Sequence, residues 1–171
     1  MTSGSGRKQD NDGIYNTEID QLMKVFTPRG YLGAISFDRL PDILQLNKVP
    51  EEFSVIVNED KSGQTGSHWV AIFTTAKTIE YYDSFARPPM PEIKQWMTDL
   101  AKKLGGGYQI KINRIPNQFS KSSNCGYLAM RFIVDRYSDK SFKDATNFSS
   151  IEKSEKDIER WKDHILNFET I

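Results

Sequence analysis

The only cysteine of the chain, Cys125, stands at the mouth of an apolar run reaching Tyr137, seven residues after Gln118. Far upstream, a stretch rich in β-branched and aromatic residues opens with His68-Trp69, and the next such stretch ends at Asp83. These side-chain types could serve acyl transfer as nucleophile, base, orienting carboxylate and oxyanion donor. A thiol attacks only as thiolate, and a free cysteine ionises near pH ~8.5, so such a nucleophile needs help. If Asn124 to Gly126 starts the apolar helix, the unpaired N–H groups and the helix dipole favour negative charge at Cys125. A protonated imidazole beside it would supply the rest. Gly126, just after the nucleophile, would let substrate backbone approach without a β-carbon in the way.

The partners follow from strand geometry. In an antiparallel hairpin of residues 68–74 with 78–83, the start of the first strand lies beside the end of the second, which brings Asp83 toward His68. A carboxylate there would hold the imidazole tautomer and stabilise the imidazolium. The Gln118 amide could donate, beside the Cys125 N–H, to the oxygen that turns negative in a tetrahedral intermediate. Each residue also has a plainer reading: Cys125 as a small core side chain, Asp83 as a turn residue, Gln118 as a loop amide. The second histidine, His164, falls within a charged C-terminal segment and reads as a surface side chain. His68 and Asp83 alone are too few ligands for zinc, and Ser122-Ser123 do not stand at the helix mouth as Cys125 does.

The elements that must position these groups are legible from periodicity. Ile19, Leu22, Met23 and Phe26 give a short helix over 16–26 with Pro28 beyond its end, and Ser36 could cap a second over 36–46. Strands are expected at 53–57, 68–74, 78–83 and 108–114, with a helix between Pro91 and Leu104 that Gly105-Gly106-Gly107 ends. The helix over 125–137 is apolar around most of its circumference and belongs in the core. The last segment, 151–168, should be a surface helix with one packed face. The expected fold class is α+β, a single domain over 14–171 whose mixed sheet is packed by helices. The buried central helix carries Cys125 at its N-terminus. Residues 1–13 hold no large apolar side chain beyond Met1 and read as a flexible arm.

Composition bounds the partners. Lys plus Arg and Asp plus Glu number 23 each in 171 residues, so no net field draws the chain to nucleic acid or an anionic membrane. One cysteine precludes an internal disulfide and suits a reducing compartment. No apolar run approaches the ~20 residues that span a bilayer. A soluble, monomeric protein without a metal is expected.

The order His68, Asp83, Gln118, Cys125 resembles the adenovirus-type (adenain-like) maturation cysteine proteases, whose clan includes the SUMO-deconjugating proteases. The matching stretches are Gly30-Tyr-Leu-Gly33, Phe37-Asp-Arg-Leu-Pro41, Gly66-Ser-His-Trp-Val-Ala71, Tyr81-Tyr-Asp-Ser-Phe85, Asn117-Gln118 and Asn124-Cys-Gly-Tyr127. The step from Gln118 to Cys125 is similar to the viral branch, with virophages and Maverick/Polinton elements as preferred relatives. The resemblance implies Cys125 as nucleophile, His68 as base and then acid, Asp83 as orienter and Gln118 as oxyanion donor. Trp69, Asn124 and Gly126 would line the substrate site. It further implies cleavage of capsid or core precursors after glycine, in the infected cell and the virion. With Cys125 as nucleophile, no thiol remains for a disulfide-linked activating peptide, leaving a noncovalent peptide open, and the neutral charge argues against DNA stimulation. The alternatives are a deconjugase of a ubiquitin-like protein and a catalytically silent binding module on the same fold.

Overall fold

The computed structural model describes residues 14–26, 29–62 and 68–170, with side chains through 167. The arm expected over 1–13 lies outside them. Helix α1 (Asn16–Phe26) leads into strand β1 (Tyr31–Ser36), a 3-10 turn (Phe37–Arg39) and short helix α2 (Leu40–Leu44). Strands β2 (Ser54–Asn58), β3 (Trp69–Thr74) and β4 (Thr78–Tyr82) follow, then α3 (Pro91–Lys103) and β5 (Gln109–Ile112). Helices α4 (Cys125–Tyr137), α5 (Phe142–Thr146) and α6 (Ile151–Thr170) complete the order.

The five strands form one mixed sheet in sequence order, β1-β2-β3-β4-β5. The inner pairs β2/β3 and β3/β4 are antiparallel, while the outer pairs β1/β2 and β4/β5 are parallel. Side chains alternate across the pleat and divide the core in two. Ile56, Ala71, Phe73 and Tyr82 join α1, α4 and α6 on one face. Val55, Val57, Val70, Ile72, Ile79 and Tyr81 meet Leu40 and Ile43 of α2 and Ile93, Trp96, Met97 and Leu100 of α3 on the other. With helices on both sides, β2 and β3 are buried throughout, which explains their continuous apolar runs. The α+β fold with a helix-covered mixed sheet is the class the sequence pattern implies.

Three local features differ from the pattern reading. Strand β1 was not expected: Gly33 breaks its run, and its register shifts between Tyr31 and Ala34. Ser36 precedes a 3-10 turn without making a side-chain cap bond, and the α-helix that follows is only five residues long. Short helix α5 is held by its own N-cap, Ser141, whose side chain accepts from the Asp144 N–H at 3.0 Å. After α3, Gly105, Gly106 and Gly107 all take positive φ, as a helix stop demands. No described helix is long and apolar enough to cross a membrane.

Candidate active site

The β3/β4 hairpin pairs Ala71 with Tyr82 and Thr74 with Ile79, so His68 and Asp83 project from adjoining strand ends. His68 Nε2 lies 2.7 Å from Asp83 Oδ1, with both side chains buried. The carboxylate is itself fixed: Oδ1 also accepts the Phe85 N–H at 2.9 Å, and Arg87 Nε reaches Oδ2 at 3.4 Å. Its backbone is clamped by Asn113, whose Oδ1 accepts the Asp83 N–H at 2.9 Å and whose Nδ2 donates to the Asp83 carbonyl at 2.7 Å. The imidazole stacks on Phe85, centroids 4.9 Å apart, and the Arg87 guanidinium covers Phe85 at 5.0 Å.

On the other side, Cys125 heads α4 from the helical layer, half-buried, and its thiol is close enough to act on His68 by hydrogen bonding and by charge. Burial disfavours the imidazolium, yet the hydrogen bonds to Asp83 and Cys125 and the charges of both outweigh it, raising the His68 pKa to about 9. For Asp83, burial works against the charged form, but His68, the Phe85 N–H and Arg87 prevail and lower its pKa. With Nε2 on the carboxylate, Nδ1 is the ring nitrogen left for sulfur. The first turn of α4 has neither a side-chain cap nor an acidic residue, so its N–H groups are open to negative charge.

Gln118 is buried, and its orientation is set by Ser84, whose Oγ donates to Oε1. Its Nε2 donates to the Ser122 carbonyl at 2.7 Å, leaving one amide hydrogen over. The loop is tied to the hairpin by the Asn117 N–H on the Ser84 carbonyl at 2.7 Å and the Tyr82 hydroxyl on Asn117 Oδ1 at 2.9 Å.

The three residues expected to line the substrate site are engaged in packing. The Trp69 indole N–H donates to the Ile14 carbonyl at 2.8 Å. Gly126 is buried, and a β-carbon there would lie 2.3 Å from Ile14 Cγ2 and 3.2 Å from Trp69 Cδ1. The N-terminal segment packed on it therefore leaves no room for a side chain at this position. Asn124 faces α6: its Nδ2 donates to Glu155 Oε1 at 2.7 Å and Glu159 Oε2 at 2.8 Å, and its Oδ1 accepts from Lys162 at 3.0 Å. Both amide hydrogens are thus engaged by α6, and the oxygen holds one donor with a second lone pair over.

Ile14, Asn113 and Glu155 entered no sequence argument, because each reaches the site from an element set by tertiary folding, and Phe85 entered only as the end of the stretch 81–85, without its stacking on the imidazole. Only Phe85, two residues after Asp83, carried a local hint. His164 is exposed on α6. Among the described residues, no three His, Cys, Asp or Glu side chains gather as a metal site would require.

No family model matches the chain. A SUMO-1 cysteine protease of African swine fever virus is 26% identical over 122 residues, 67% of this chain and 43% of that protein. A protein of Acanthamoeba polyphaga mimivirus, named as a thiol protease, is 30% identical over 158 residues, 80% of this chain and 52% of its own length. The chain thus spans about half the length of the curated relatives it matches. Among solved structures, the African swine fever virus protease superposes with a TM-score of 0.67 at 17% identity, covering 88% of this chain and 67% of that one. The SUMO protease Ulp1, its catalytic cysteine oxidised to a sulfinic acid, gives 0.52 at 16%, covering 80% and 74%. These likenesses establish the fold as that of the viral and SUMO-directed cysteine proteases.

Proposed function

We propose that the chain is a cysteine endopeptidase of viral type that cleaves protein substrates after glycine. The observation that carries this is a single buried imidazole held between the Asp83 carboxylate and the Cys125 thiol, its pKa raised to about 9. In this reading the Cys125 thiolate adds to the scissile carbonyl carbon, and the carbonyl π pair moves onto oxygen. The Cys125 N–H and the remaining Gln118 amide hydrogen stabilise that oxyanion. Collapse expels the amine, which takes its proton from His68, and leaves an acyl-enzyme on sulfur. Water attacks with its proton passing to His68, returning the thiolate. Asp83 keeps the ring oriented and favours its charged form throughout. No metal or organic cofactor takes part.

Capsid or core precursors are the proposed substrates, supported by viral relatives and by the seven-residue step from Gln118 to Cys125. A noncovalent activating peptide is compatible with the lone thiol, and neutral charge argues against DNA stimulation. A second reading, deconjugation of a ubiquitin-like protein, draws on the SUMO-directed name of the African swine fever virus relative. Matched substrates separate them: a capsid precursor with an internal glycine site, and a ubiquitin-like fusion ending in Gly-Gly. Preferential turnover of the precursor supports the first reading and of the fusion the second. In both, Cys125→Ala abolishes cleavage in a folded protein; cleavage retained by that variant removes Cys125 from the chemistry.

A further inference from the structure

The segment from Gln118 to Cys125 carries both groups assigned to the oxyanion, one at each end. Its internal bonds are short-range: Gln118 Nε2 and the Asn124 N–H both reach Ser122, at 2.7 and 3.2 Å, and the Ser122 N–H reaches the Phe119 carbonyl at 3.0 Å. What joins its two ends from outside is one carboxylate. Glu155, on the second turn of α6 and only 9% exposed, accepts the Phe119 N–H on Oε2 at 2.9 Å and Asn124 Nδ2 on Oε1 at 2.7 Å. Phe119 and Asn124 are the immediate neighbours of Gln118 and Cys125. Glu159, one turn on, shares Asn124 Nδ2, and Lys162 closes the set by donating to Asn124 Oδ1 at 3.0 Å and Glu159 Oε2 at 3.3 Å.

We propose that Glu155 is a positioning residue of the oxyanion site: by holding Phe119 and Asn124 on its two oxygens, it fixes the separation between the Gln118 amide and the Cys125 N–H. This rests on the peptidase reading above. The chemistry demands a carboxylate, since two donors approach separate oxygens, and charge-assisted bonds are about twice as strong as neutral ones. Glutamine of the same shape has one acceptor oxygen, so one loop end must be released. Helix α6 has independent anchors: Ile158 and Ile165 are buried in the core, and Trp161 stacks on Phe26 at 5.4 Å. Loss of Glu155 therefore loosens the loop while the helix stays docked.

The test compares the wild-type full chain with Glu155→Gln and Glu155→Ala, using two thiol reagents of which one forms an oxyanion and the other does not. Iodoacetamide alkylates sulfur by displacing iodide and forms no oxyanion. A peptide aldehyde ending in glycinal accepts the sulfur at its carbonyl carbon, with the π pair moving to oxygen, which then sits in the oxyanion site as O⁻ or takes the His68 proton. Both variants should unfold cooperatively in urea and alkylate at near the wild-type rate. The aldehyde should bind roughly 10- to 100-fold more weakly and kcat fall similarly with KM little changed, the scale expected for a misplaced donor. Aldehyde affinity and kcat at wild-type level in both variants would overturn the inference. So would a parallel fall in alkylation, which would put Glu155 behind the thiol itself, or failure of both variants to fold, which would make it a stability residue. A wild-type protein that alkylates but neither binds the aldehyde nor cleaves glycine peptides sinks the peptidase reading, and the assignment of Glu155 with it.

Discussion

Replacing Gly126 by alanine places a methyl group in space that Ile14 already fills. Its β-carbon would stand 2.3 Å from Ile14 Cγ2 and 3.2 Å from Trp69 Cδ1, whereas carbon contacts settle at about 3.5–4.0 Å. Ile14 must therefore retreat by more than about 1 Å on that scale. It is only 2% exposed, and its carbonyl is tied to the Trp69 indole at 2.8 Å. Overpacking of this kind costs about 1–3 kcal/mol, offset by up to ~1 kcal/mol because alanine is the better helix former. The expected net loss is about 0–3 kcal/mol, with a fall in kcat because Trp69 adjoins His68. The clash also predicts a coupling. Ile14→Ala removes Cγ2 and itself costs about 2–5 kcal/mol; in that background Gly126→Ala should be neutral or mildly stabilising. Urea unfolding of the wild type, both single variants and the double variant, followed by tryptophan fluorescence, gives the interaction term directly. It should be about 1–3 kcal/mol in favour of the double variant. A term within ~0.5 kcal/mol of zero would refute the reasoning.

Other expectations follow from the His68 environment. NMR titration should show the His68 ring charged up to about pH 9, with the midpoint falling in Asp83→Asn. Because this folded-state pKa lies above the unfolded value of 6.5, the stabilisation is complete below pH 6.5 and is lost as pH rises through about 9. The excess stability of wild type over His68→Gln should decline across that window by an amount on the order of 3 kcal/mol; a flat difference would contradict the pairing. The kcat/KM profile should show its alkaline limb near pH 9, where the imidazolium that protonates the leaving amine disappears. Asp83→Asn should lower kcat by roughly 10²- to 10⁴-fold without unfolding the chain, since the tautomer is no longer held. Phe85→Ala, which unstacks the ring, should lower kcat about 3- to 30-fold, the equivalent of ~0.6–2 kcal/mol, and Phe85→Tyr should restore it.

What the sequence disclosed depended on how far each contact reaches along the chain. Helix α1 reads correctly from its 3.6-residue stripe, and the β3/β4 hairpin from two apolar runs around a short turn. The nearness of His68 and Asp83 follows from that local pairing. Strand β1 was hidden because Gly33 interrupts the pattern within it and Gly30 stands just before it, and its pairing with β2 is parallel and bulged, a tertiary choice no single segment announces. Gly126 and Asn124 were recognisable as special positions, but not the reason for them. The side chains that decide their roles, Ile14 and the α6 carboxylates, lie at opposite ends of the chain and meet them only after folding. Glu155 in particular looks like any acid on a charged amphipathic helix until both loop ends are seen on its oxygens.

Sulfur and imidazole must act as one unit in this chemistry, and the most direct measurement of that is covalent capture. The folded wild type and His68→Ala are each incubated, under reducing conditions, with a glycine-terminated peptide carrying a C-terminal propargyl amide, and the adduct is located by peptide mass spectrometry. One adduct on Cys125 in the wild type, with little or none in His68→Ala, is the predicted result. A folded wild type that stays unlabelled, or labelling of equal rate in the two proteins, would contradict it.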